Sequence, residues 1–142
     1  MKTIFVKSNI KMREVSNEYI RYWVEDGILH SEFKQDITLH ASLCSKIIEL
    51  RHEISEGKKQ YWCYDFKHVT SMPRDGKEYA EKYGQDYLYA SAAIVYNHLQ
   101  KYIVNIFIAI KNPKIPFKAF TNKEKAVQWL KEIKEKNERA NT

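Results

Sequence analysis

The spacing of apolar positions changes along the chain, and each change marks an element. Residues 3–15 alternate weakly and predict one opening strand. In YIRYWVE, residues 19–25, Tyr19, Arg21, Trp23 and Glu25 fall on one side and Ile20, Tyr22 and Val24 on the other. That is the two-residue period of a half-buried strand, in residue types that favour strands. Asp26-Gly27 separates it from ILHSEF, and a DG pair between two such runs predicts a β-hairpin from about Tyr19 to Phe33. Over residues 38–55 the period lengthens: Leu39, Leu43, Ile47, Leu50 and Ile54 recur at helical spacing. Thr38 is the expected N-cap and Gly57 the expected stop.

QYWCYDF, residues 60–66, is apolar on both faces, as expected of a strand central in its sheet. Pro73 and Gly76 then break the chain, and residues 77–89 predict a polar helix with Tyr79, Ala80, Tyr83 and Tyr87 on one side. ASAAIVY, residues 90–96, predicts a buried strand. Residues 98–110 fit a strand by β-branching and a helix by the stripe Leu99, Ile103, Phe107 and Ile110. The helix is preferred because a long connection must carry the chain back to a parallel neighbour. Asn112-Pro113 ends that element, residues 116–120 predict a short strand, and residues 122–136 an amphipathic helix. In that helix Asn122 is the N-cap, Ala126, Trp129, Leu130 and Ile133 form the apolar face, and residues 137–142 are expected to fray.

The order implies one α/β domain over residues 1–142, with its core at about 19–135. Its single layer of sheet is mixed and mostly parallel, of five to six strands, packed with about four helices.

With 142 residues, 44% apolar and 30% charged, the chain is long enough and apolar enough for one globular core. No apolar run approaches the ~20 residues of a membrane span. Lys7 and Lys11 interrupt the N-terminal apolar run too early for a signal peptide, so a cytoplasmic location is expected. Cys44 and Cys63 stand alone and read as reduced, buried thiols. The formal charge of +6 is spread along the chain and mixed with Glu. Its densest group is Lys111, Lys114, Lys118, Lys123 and Lys125, and nucleic acid is a minor alternative. His30, His40, His52, His68 and His98 are scattered and read as surface or capping residues, so neither metal nor cofactor is expected.

The segment DFKHVTSMPRDG after Asp65, and NPKIPFKAF followed by Ala126 and Trp129-Leu130, together with the element order, resemble the STAS family, the anti-sigma-factor antagonist fold. The nearest likeness is to an uncharacterised bacterial branch, over roughly residues 19–135. The resemblance implies a non-enzymatic regulatory or protein-interaction module. In STAS domains a Ser or Thr in an Asp-Ser-Ser-Gly-like motif is phosphorylated, and the added charge breaks a partner contact. Here the motif's Gly matches Gly76, and Pro73, Arg74 and Asp75 precede it, so the acceptor is missing. Thr70 and Ser71 lie too early in the chain to replace it.

Ligands of open α/β sheets gather at the carboxyl ends of parallel strands. His68, Arg74, Asp75 and Lys77 follow one such end, and Asn97 and His98 follow the next. These six could converge on one rim that holds a partner or an anion, with Arg74 as the forked donor; ordinary loop polarity is the competing reading. Tyr79, Tyr83, Tyr87 and Tyr89 form either an exposed interface or the seam between helix and sheet. A protein partner is expected, a homodimer through the hairpin edge stays open, and a small-molecule or lipid pocket walled by QYWCYDF and residues 103–110 is the alternative function.

Overall fold

In a computed structural model of the chain, the structure describes residues 3–7, 12–109 and 115–141. Five strands open it: β1 (Thr3–Lys7), β2 (Met12–Ser16), β3 (Ile20–Glu25), β4 (Ile28–Phe33) and the short β5 (Ile37–Thr38). Helix α1 (Ala41–Ser55), strands β6 (Gln60–Asp65) and β7 (Val69–Ser71), helix α2 (Arg74–Tyr83) and strand β8 (Leu88–Ile94) follow. Helix α3 (His98–Ala109), strand β9 (Phe117–Phe120) and helix α4 (Lys123–Ala140) complete it.

The predicted mixed α/β architecture is present. Seven strands form one sheet in the order β1-β2-β3-β4-β6-β8-β9, and β5 pairs with β7 in a separate two-stranded sheet. The strands from β1 to β4 pair antiparallel, and those from β4 through β9 pair parallel. The strand count exceeds the expectation because residues 3–15 make two paired strands. Asp26 and Gly27 both have positive φ, 52° and 77°, the turn geometry whose twist matches a hairpin.

Strand β6 lies inside the sheet between β4 and β8, which is why it is apolar on both faces. Trp62 and Tyr64 join one core with Tyr22, Leu29, Leu43, Ile47, Ile103 and Val104. Tyr61 and Cys63 join the other, beneath α4, with Ala90, Ala92, Ala126 and Leu130. Alanines on β8 leave room for α4 to lie close, so Ala126 and Leu130 are fully buried.

Two buried polar groups fasten α1. The Tyr22 hydroxyl donates to the Ile47 carbonyl at 2.9 Å. Arg51, 1% exposed, lies over the Trp62 ring at 4.6 Å and donates to the carbonyls of Gly84 and Asp86 at 3.1 and 2.9 Å.

Several local expectations are corrected. The N-cap of α1 is His40, whose Nδ1 accepts from Leu43 N, because Thr38 is taken into β5. Helix α2 starts at Arg74 and ends at Tyr83; Tyr87 lies beyond it at φ 58°, and Tyr89 belongs to β8. The four tyrosines therefore share no helix face: Tyr79 packs on the core, while Tyr87 and Tyr89 are exposed. Helix α3 forms as predicted, but it turns Gln100, Ile103 and Val104 inward and leaves Leu99 out. Asn122 caps α4 as predicted, accepting from Lys125 N at 3.0 Å. The fraying expected at residues 137–142 does not begin there, since Asn137 donates to the Tyr61 hydroxyl and the helix continues to Ala140. The stop at Asn112-Pro113, the position of Ile110, and Lys111 and Lys114 of the basic group lie outside the described residues.

His30 is neither surface nor cap. It is 5% exposed and stacks on Trp23 at a centroid distance of 5.1 Å. Burial, reinforced by Lys123 and Lys131, pushes its imidazole down to about 4.

Candidate functional site

The carboxyl ends of β6 and β8 meet the start of α3. Strand β6 ends in Asp65, which accepts twice: from Lys67 N at 2.8 Å and from the Tyr96 hydroxyl at 2.8 Å. Partial burial and that bond to a carboxylate push the Tyr96 hydroxyl up to about 12. Asn97 caps α3, its side-chain oxygen accepting from Gln100 N at 2.8 Å. Gln100 is 1% exposed and ties three segments together: its oxygen accepts from Tyr96 N, and its amide donates to the carbonyls of Lys67 and Val69. These bonds set the rotation of α3. With Gln100 drawn in, Leu99 and Tyr102 turn out.

The result is an apolar surface at the rim. Tyr96, Leu99 and Tyr102 are 52%, 48% and 61% exposed. Half-buried Lys77, from α2, holds its ammonium 5.9 Å from the Tyr102 ring centroid. Lys67 and Lys101 are exposed nearby, on the residues that follow β6 and on α3.

The six rim residues expected from sequence have different tasks. His68 Nδ1 pairs with Asp36 at 2.9 Å. Arg74 is almost fully exposed and pairs with Glu78 on its own helix, so it is aimed at no shared point. Asp75 is structural: it accepts from Ala41 N at 3.1 Å, holding the start of α1, and from Gly76 N at 2.9 Å. Lys77 reaches α3, Asn97 is a cap, and His98 is exposed. Lys77, Asn97 and His98 therefore border the apolar surface, while Arg74 and Asp75 serve α2 and α1. Tyr96, Leu99 and Tyr102 were not among the candidates. Leu99 fits the apolar stripe of the sequence, and the internal bonds of Gln100 reveal the rotation that turns it outward.

Thr70 and Ser71 lie in the two-stranded sheet. Their hydroxyls bond to the Ile37 carbonyl and to the Thr38 hydroxyl, between β5 and β7. Among the described residues, no group of three His, Cys, Asp or Glu side chains could hold a metal ion. No described helix is long and apolar enough to cross a membrane. Of the walls suggested for a ligand cavity, the side chains of β6 are in contact with neighbours: Trp62 with Tyr64 at 4.3 Å, Tyr64 with Phe66 at 5.4 Å and with Phe117 at 6.0 Å.

With its mixed sheet and helices on both faces, the chain has a SpoIIAA-like, or STAS-like, fold. The crystal structure of an uncharacterised DUF3478-family protein from Shewanella loihica PV-4, described as having a SpoIIAA-like fold, superimposes with a TM-score of 0.59. It is 18% identical, and the match covers 81% of this chain and 97% of that one. The sequence itself belongs to the family described as a domain of unknown function, DUF7793, which matches residues 22–134. Among curated proteins, none matches this chain.

Proposed function

We propose that this domain is a non-enzymatic protein-interaction module that docks a partner on the rim formed by Tyr96, Leu99 and Tyr102. The observation that carries this reading is the exposure of three large apolar side chains at one end of the sheet, each about half in contact with water. Exposed aromatic groups concentrate binding energy at interfaces. The titratable groups beside them are occupied with structure: Asp65 with Tyr96, Asp75 with the start of α1, and His68 with Asp36. The missing acceptor at Arg74–Asp75 fits an interaction that does not depend on phosphorylation there.

The test is a photo-crosslinking residue at Tyr102, in cells, against the same residue at Lys58, which is exposed before the amino end of β6. A defined adduct at position 102 that is missing at position 58 is expected. The same adducts at both positions, or none at either, would refute a dedicated docking surface.

A further inference from the structure

The apolar surface runs between two ends of opposite charge. At one end Tyr96 gives its hydroxyl to Asp65, whose partner across the strand pair is Glu32. At the other, the Lys77 ammonium stands 5.9 Å from the Tyr102 ring centroid. Leu99 lies between them, one turn of α3 before Tyr102. Among the described residues at the Tyr96 end, Glu14, Glu32 and Asp65 stand against Arg21 and Lys67, so carboxylates outnumber cations. Asp36, paired with His68 on the Lys67 side, adds to them. At the Tyr102 end, Arg74, Lys77 and Lys101 stand against Asp75 and Glu78, so cations outnumber carboxylates. Glu81 and Lys82, further along α2, offset one another. The rim as a whole has no positive excess; its two signs are set apart along the apolar row.

We infer, building on the docking reading above, that the occupant of the rim is a second copy of this chain, turned end for end about a two-fold axis near Leu99. In such a pair every contact occurs twice with the roles exchanged. Leu99 meets its own counterpart, and the Tyr96 end of each copy meets the Tyr102 end of the other. Glu32 and Asp65 then face Lys77 at both junctions, while the apolar row is covered by its own kind. A uniformly acidic or basic partner, or an anionic bilayer, is matched at one end and repelled at the other.

Sedimentation equilibrium of the intact chain is the test. Association to a dimer is expected, and Leu99→Glu, which sets carboxylate against carboxylate at the axis, should weaken it by about a hundredfold. Lys58→Glu, away from the rim, should leave it unchanged. Glu32→Lys and Lys77→Glu should each weaken the dimer by about tenfold, because each brings like charges together at both junctions. An equimolar mixture of these two variants should recover it, since every junction then joins opposite charges. Melting temperatures close to that of the unchanged chain show that the variants fold. A chain that stays monomeric at millimolar concentration, a dimer indifferent to Leu99→Glu, an equal loss in Lys58→Glu, or a mixture no tighter than its two components overturns the inference. The docking reading fails separately. A rim-specific crosslink to a different protein, with the purified chain monomeric, sinks the dimer and leaves docking in place.

Discussion

Replacing Gly76 by Ala sets two backbone effects against each other. Gly76 occupies the first turn of α2, where Ala should favour the helix by about 1 kcal/mol. A Cβ at this position would stand 1.8 Å from the Leu39 carbonyl oxygen, 2.9 Å from its carbon and 3.3 Å from His40 Cα. Ordinary contact begins at 3.4 Å, so α2 and the β5–α1 link must separate by more than an ångström. Neither side can yield freely. Leu39 N donates to Ser71 O at 2.9 Å, and Ala41 N donates to Asp75 at 3.1 Å, so the separation pulls Asp75 away from the start of α1. Overpacking of this kind costs about 1–3 kcal/mol, and the loosened cap roughly 1 more. The steric term outweighs propensity, leaving a net destabilisation of about 2 kcal/mol and a fall in Tm of about 5 °C for a domain of this size. Circular dichroism melts and urea titrations of the two proteins measure it directly. An unchanged or higher Tm in Gly76→Ala would show that the approach of α2 to Leu39 is not tight, and the reasoning would be refuted.

Three further perturbations have defined outcomes. His30 titrates at about 4 in the folded chain and near its ordinary value when unfolded. The unfolded state therefore takes up the proton first, so stability should fall as pH drops from roughly 6.5 to 4, by at most about 3 kcal/mol, and level off below. His30→Phe, which keeps a ring against Trp23, should flatten that part of the pH profile measured by urea unfolding, and an unchanged slope would assign it to other groups. Gln100→Leu removes the partners of Tyr96 N, Lys67 O and Val69 O in a buried setting and should cost about 2–5 kcal/mol. Hydrogen exchange at Tyr96 N should rise with it, and protection equal to that of the unchanged protein would count against this bond. Burial pushes the thiols of Cys44 and Cys63 up to about 11 and 12. Both should resist a thiol reagent such as Ellman's in the folded protein and react in denaturant; rapid labelling before unfolding would contradict their burial.

Local spacing along the chain determined most of the elements. The alternation in residues 19–25, the DG turn, the stripe from Leu43 to Ile54 and the Asn122 cap each act over a few neighbouring residues, and each appears in the structure. Apolarity on both faces of QYWCYDF likewise reported its interior place in the sheet. Contacts between distant segments decided what spacing does not encode. The split of residues 3–15 into two strands depends on pairing with β3, and the extension of α4 to Ala140 accompanies the bond from Asn137 to Tyr61. The rim was legible as a place, because strand ends follow from element order, but its chemistry was not. Leu99 and Ile103 look alike in an apolar helix. The bonds from Gln100 to Lys67 and Val69, 33 and 31 residues away in the chain, together with the one from Tyr96 N, fix which of them meets water. A helix's rotation is set by the buried polar groups that must find partners, and those partners exist only once the sheet has brought them together.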